Sequence, residues 1–216
     1  MQELSIAMRQ TEDNRQWLVI SDLDGTLLNH HDYQYQAALP AIDQLKSKQI
    51  PVILNTSKTY PETLKIQKLL GIEAPFIVEN GSCLFLPQSQ FPEKPDSNAR
   101  QREHFWEIVL GNTLEQIDAT LEKLAIENNA YLRLSKCSPA EVARLTGLTE
   151  SQAKDAIARE FSEPVIWNKS GHELESLKQL LQQQNLKTLQ GGRFLHILGA
   201  CDKGTAIDEL AKYYPQ

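Results

Sequence analysis

Asp22 and Asp24 stand two positions apart in the run Asp22-Leu23-Asp24-Gly25-Thr26-Leu27-Leu28, directly after the apolar stretch Trp17-Leu18-Val19-Ile20. Two carboxylates where a buried strand ends at a glycine turn suit transfer of a phosphoryl group onto the protein itself. A carboxylate attacks phosphorus usefully only when a divalent cation and fixed donors offset the repulsion between two anions. The acyl phosphate then divides hydrolysis into two easier steps. Asp22 is the expected nucleophile. The leaving oxygen must gain a proton in the first step and the incoming water must lose one in the second, so a second acid is needed nearby. Asp24 fits that role. Gly25 permits the sharp turn, and the Thr26 hydroxyl can hold it.

Further polar groups fall at the ends of other apolar runs. In Asn55-Thr56-Ser57-Lys58-Thr59 a hydroxyl follows the second run. It is a neutral donor whose bond to a phosphoryl oxygen can strengthen as charge shifts in the transition state. Thr56 is preferred for this, and Ser57 offers the same group. Lys203 precedes Gly204 at the start of an amphipathic stretch containing Ala206, Ile207 and Leu210. Its ammonium, a compact point charge, can neutralise both nucleophile and phosphate, aided by the positive end of the helix. His30, His31 and His104 read as surface or loop residues. His196 is open between a structural histidine and a substrate contact; period-two spacing puts it on one strand face with Phe194, and Arg193 with Leu195 on the other. Gly191-Gly192 reads either as a turn or as a source of N–H groups for an anion.

The elements that position these groups alternate. A helix over Leu39–Gln49 opens at Pro40, a strand covers Pro51–Leu54, a helix runs from Pro61 to Leu70 and closes at Gly71, and a strand covers Pro75–Val78 before Glu79-Asn80-Gly81. Three apolar strands alternating with two amphipathic helices describe a doubly wound, Rossmann-like parallel sheet, whose ligands sit beyond the carboxyl ends of the strands. From about Cys83 the pattern changes. Pro87, Pro92 and Pro95 mark a boundary, followed by helices near 113–128, 139–145, 150–161 and 172–184 and strands near 130–134, 165–167 and 194–198. This mixture predicts an α+β domain inserted at 86–198, with the core formed by 1–85 and 199–216.

Composition narrows the class. A hydrophobic share of 41% and a charged share of 23% suit a globular domain and exclude a disordered one. The net charge of −6, without a Lys/Arg cluster, argues against nucleic acid as a partner. The first sixteen residues carry neither a secretory core nor a membrane span, so the expected partner is a small molecule and the expected location the cytoplasm. Cys83, Cys137 and Cys201 lack metal-ligand spacing and read as free thiols of a reducing compartment.

Taken in order, Asp-Leu-Asp-Gly-Thr-Leu-Leu, Thr-Ser-Lys-Thr, Glu-Asn-Gly, Leu145-Thr146-Gly147-Leu148, Ala158-Arg159-Glu160-Phe161 and Gly-Gly-Arg-Phe-x-His resemble the mannosyl-3-phosphoglycerate phosphatase family of the haloacid-dehalogenase-like superfamily. The resemblance covers nearly the whole chain. It implies a Rossmann-like core, a type IIB cap, and magnesium held through Asp22 and Asp24. It also implies hydrolysis of mannosyl-3-phosphoglycerate to the osmolyte mannosylglycerate, with Thr56 and Lys203 on the phosphate. Arg159, Gly192, Arg193 and His196 are its candidates for contact with the sugar and glycerate. The acidic pair that forms the superfamily's fourth motif is not found after Lys203, which implies a core incomplete at its C-terminus and a missing third carboxylate ligand. Two other readings follow: a sugar phosphomutase, which shares the opening motif, and a catalytically incomplete sugar-phosphate-binding form.

Overall fold

A computed structural model describes residues 17–29, 33–124 and 130–214. His30, His31, the first sixteen residues and the expected helix end near Asn128 lie outside the described residues. Strand β1 (Val19–Ser21) leads through α1 (Leu39–Ser47) to β2 (Val52–Asn55), then through α2 (Tyr60–Leu70) to β3 (Phe76–Val78). The three strands are parallel, with Val19 beside Val52 and Leu54 beside Phe76. Local chemistry sets the connecting helix. The Thr59 hydroxyl and the Glu62 carboxylate form a reciprocal cap on α2, Pro61 sits in its first turn, and Gly71 ends it at a φ of 60°.

Beyond β3 the same sheet continues antiparallel through β4 (Cys83–Pro87), β5 (Arg100–Arg102) and β6 (Phe105–Val109), in the order β1-β2-β3-β4-β6-β5. Its core collects Ile53, Leu54, Phe76, Ile77, Leu84 and Phe85 from the strands with Ile42 and Leu70 from the helices. Tyr60, Phe76, Phe85 and Phe105 form an aromatic cluster, with Phe76 stacked on Phe85 at 5.0 Å. The boundary expected at residue 86 falls within β4, and the strands of this sheet run on through Val109. Pro87 is the last residue of β4, opposite Phe105, while Pro92 and Pro95 lie in the link to β5, where their lack of an N–H is harmless.

A second sheet follows, with α3 (Leu114–Lys123), β7 (Tyr131–Arg133), α4 (Pro139–Thr146), α5 (Glu150–Ile157), β8 (Ser162–Trp167), α6 (Gly171–Gln183), β9 (Leu186–Gly191) and β10 (Phe194–Gly199). Its order is β7-β8-β10-β9, antiparallel throughout. Ile117 and Leu121 of α3 and Leu177 and Leu181 of α6 pack with Val165, Leu195 and Ile197. His196 thus lies on the face opposite to that of Leu195, as the period of two requires. The chain then enters α7 (Lys203–Ala211). Its outward and return crossings touch: a Cβ on Gly199 would fall 2.5 Å from the Asn112 backbone nitrogen, so only glycine permits that approach. Adjacent crossings are the geometry of an insertion. Among the described residues no helix is long and apolar enough to cross a membrane.

Candidate active site

Asp22 follows β1 directly, and its carboxylate lies 2.8 Å from Lys203 Nζ at the start of α7. The other carboxylate oxygen accepts the Leu23 N–H at 2.7 Å. Asp24 is held separately, its Oδ1 3.0 Å from Lys58 Nζ. The turn between them is closed by the backbone, with Leu23 O accepting from Thr26 N and Leu28 N, and Gly25 standing at a φ of 74°. Each of the two acids therefore has its own ammonium. The sequence predicts an ammonium from Lys203 at Asp22 but none from Lys58 at Asp24; the signal for Lys58 is its place in the loop after β2.

Thr56 is fully buried at the end of β2, where its hydroxyl oxygen accepts the Lys58 N–H at 3.1 Å. Its own N–H donates to Ile77 O, and its carbonyl accepts from Asn80 N. Asn55 Nδ2 donates to Lys203 O at 3.0 Å, tying this loop to the lysine helix. Gly81, at a φ of 94°, presses on the same helix: a Cβ there would lie 2.1 Å from Asp202 O. Asp202 caps α7 by accepting from Thr205 N at 2.8 Å. That bond, followed by the one from Lys187, lowers its carboxyl to about 2. Loops after β1, β2, β3 and β10 thus converge on one rim.

Glu79 bolts the two units together. Its fully buried carboxylate accepts from Glu160 N at 2.9 Å, Phe161 N at 3.2 Å and Ser162 Oγ at 2.6 Å. Burial pushes this carboxyl up, against Arg159 and the donors, which pull it down. Arg159 reciprocates, donating both terminal nitrogens to Ser57 O at 3.2 Å and standing 3.7 Å from Glu79 Oε2. Its guanidinium is buried among protein partners beside the Thr56 loop. Gly192 lies exposed in the β9–β10 turn at a φ of 54°. Arg193 donates to Leu145 O at the end of α4, which ties it within the second unit. The geometry brings Asp22 to Lys203 and Arg159 to the Thr56 loop; Gly192 and Arg193 gather around the hairpin instead.

His196 is 7% exposed, and its Nδ1 is buried without a hydrogen-bond partner. Burial first, then the charge of Arg159, lower its pKa from the ordinary 6.5 to about 3. The unfolded chain takes up a proton that the folded one refuses. Stability that is complete above about pH 6.5 is therefore lost as pH falls toward 3, at up to about 1.4 kcal/mol per pH unit. His196→Leu is expected to flatten this acid limb by one proton's worth in unfolding measured from pH 7 to pH 4. An unchanged slope would show that His196 does not titrate this way.

Beside the two ammonium groups, the strand end offers carboxylate oxygens, the donor type that suits magnesium, an ion that takes one or two carboxylates and keeps several waters. Among the described residues no three His, Cys, Asp or Glu side chains converge as a metal-ligand group. Asp22 and Asp24 are the carboxylates that could hold such an ion.

A family model for haloacid dehalogenase-like hydrolases matches residues 19–215, and the chain belongs to that family as an enzyme of the phosphatase kind. The glucosyl-3-phosphoglycerate/mannosyl-3-phosphoglycerate phosphatase of Persephonella marina is 36% identical over 202 residues, covering 92% of this chain and 73% of that protein. Its namesake in Methanococcoides burtonii is 34% identical over 200 residues, with the same shares covered. The resemblance carried by the motifs is thereby borne out. Among solved structures, a phosphatase of the haloalkanoate superfamily from Bacteroides thetaiotaomicron superposes with a TM-score of 0.65 at 14% identity, over 97% of this chain and 77% of that one. The sucrose-phosphatase of Synechocystis, solved with sucrose and phosphate, gives 0.57 at 16% identity, over 92% and 70%. Both share the fold.

Proposed function

We propose that this chain is a phosphomonoesterase that hydrolyses a phosphorylated glycosyl-glycerate, specifically mannosyl-3-phosphoglycerate, to the free osmolyte and phosphate in the cytoplasm. The observation that carries the reading is the 2.8 Å contact of Asp22 with Lys203, which closes one anion-handling site from opposite ends of the chain. Asp22 attacks phosphorus and becomes the aspartyl phosphate. Lys203 offsets the charge of nucleophile and phosphoryl group, and Thr56 donates its hydroxyl to a phosphoryl oxygen. Asp24, positioned by Lys58 and entering the first step as the neutral acid, gives its proton to the departing oxygen; as the resulting carboxylate it takes a proton from the attacking water and is restored. Magnesium held at Asp22 and Asp24 supplies charge neutralisation when bound. The second sheet and its helices act as a cap inserted into the core, selecting the organic part of the substrate. Three free, buried cysteines suit a reducing compartment.

The test is phosphate release from mannosyl-3-phosphoglycerate, glucosyl-3-phosphoglycerate and simple sugar phosphates, with magnesium and with chelator. Release without isomer formation, lowered about a hundredfold by chelation and restored by magnesium, is expected. An isomeric sugar phosphate among the products would mark a mutase. Magnesium-independent binding without turnover in calorimetry would mark a binding module.

A further inference from the structure

Two ammonium groups divide the site by role. Lys203 marks the phosphoryl end at Asp22, whereas Lys58 marks the proton-donor end at Asp24. In an in-line displacement the leaving oxygen departs on the side of the group that protonates it. The body of the substrate must then extend away from Asp24. A cavity of about 270 Å³ begins there, with Lys58 in its wall. The same ammonium that touches Asp24 lies 5.0 Å from the centroid of the Tyr33 ring, which forms the next part of the wall.

The cavity's lining suits a polyol with one apolar face. Tyr33 and Tyr35 give aromatic surfaces, Leu69 an apolar one, and Glu62 and Gln152 polar ends. Tyr33 at 46% and Leu69 at 56% are among the few large apolar side chains left exposed among the described residues, and both line this space. Clefts that bind small molecules combine such apolar walls with a few fixed polar groups. Gln152 belongs to α5 in the second unit, so the cavity is complete only with core and cap together. A second cavity, beside Lys203 and lined by Asn80, Lys187 and Asp202, lies at the phosphoryl end and is on the wrong side for a leaving group.

We infer that the cavity flanked by Tyr33, Leu69 and Gln152 receives the glycosyl ring of the leaving group and sets the enzyme's preference for a glycosylated over a plain phosphoglycerate. This rests on the function proposed above. It places sugar selection on the Lys58 side rather than at the Gly192-Arg193 hairpin.

The test compares wild type, Tyr33→Ala and Leu69→Trp on mannosyl-3-phosphoglycerate and on 3-phosphoglycerate. The first variant removes an aromatic wall and the second fills the space. Both positions are well exposed, so folding is not at stake. The ratio of kcat/KM for the glycosylated substrate to that for the plain one is expected to fall about tenfold in each variant, mostly through KM. An unchanged ratio in both would overturn the inference while leaving the proposed function intact, and so would an equal fall on both substrates. A wild-type enzyme inactive on the glycosylated substrate would overturn the function, and this inference with it.

Discussion

Asp22→Asn is expected to lower phosphate release by about a thousandfold or more while leaving the fold in place. An amide nitrogen or oxygen does not form an acyl phosphate, so the two-step route is closed. Losses of this size are usual when the nucleophile of a covalent mechanism is removed, because the remaining binding groups stabilise only part of the transition state. Stability should change little. The Asp22 side chain is 45% exposed and its partner Lys203 is 33% exposed, and an ion pair that accessible contributes at most about 1 kcal/mol. The informative measurement pairs phosphate release with trapping of labelled protein from a phosphorylated substrate: label in wild type, none in Asp22→Asn. Activity within tenfold of wild type would remove the covalent mechanism.

How much of this could be read in advance depended on where each interaction lies along the chain. The Asp22–Leu28 run announced itself because two carboxylates and a glycine turn are contiguous, and the parallel arrangement followed from apolar strands separated by amphipathic helices. Interactions between remote positions left no local trace. The pairing of Lys58 with Asp24 and the bond from Asn55 to the Lys203 carbonyl exist only after β1, β2 and α7 are brought together. Strand β8 was foreseen only from Val165. Its first residues, Ser162, Glu163 and Pro164, carry no apolar pattern, although all three are buried. Glu163 is inside because Arg133 lies 2.8 Å away and Ser135 N donates to it at 3.1 Å. A buried carboxylate with dedicated partners inverts the rule by which strands are recognised.

The expected helix over 150–161 ended at Ile157 for a related reason. Local propensity favours continuing through Ala158-Arg159-Glu160, but the N–H groups of Glu160 and Phe161 point at Glu79 instead. Tertiary bonding to a buried anion outweighs a few tenths of a kcal/mol per residue of helix preference. Strand β9, Leu186-Lys187-Thr188-Leu189-Gln190-Gly191, was missed because it lies at the edge of its sheet with an exposed leucine and polar neighbours. Composition alone does not place the boundary expected at residue 86, because a proline-rich loop between strands of one sheet has the same composition as a linker between domains.

Glu79→Ala is the substitution expected to cost most in stability. It leaves the Arg159 guanidinium, two backbone N–H groups and the Ser162 hydroxyl facing an empty space, whatever the protonation state of the acid it replaces. Removing one partner of a buried pair costs about 3 kcal/mol or more, since the other charge stays desolvated. In a chain of 216 residues that corresponds to a Tm lower by roughly 10 °C. By contrast, Lys178→Ala breaks the exposed pair with Glu175 and should change stability by less than about 0.5 kcal/mol. Coupling distinguishes a lost clamp from general damage. Arg159→Met in the Glu79→Ala background removes the stranded charge, so the double variant should be more stable than the sum of the two single losses predicts. Simple additivity in thermal unfolding would mean that Glu79 and Arg159 do not act as one unit. The same variants should weaken catalysis as well, because Arg159 holds the Ser57 carbonyl beside Thr56 and the loop that carries Lys58 to Asp24. A stability loss with full activity would separate the bolt between the units from the positioning of the phosphate loop.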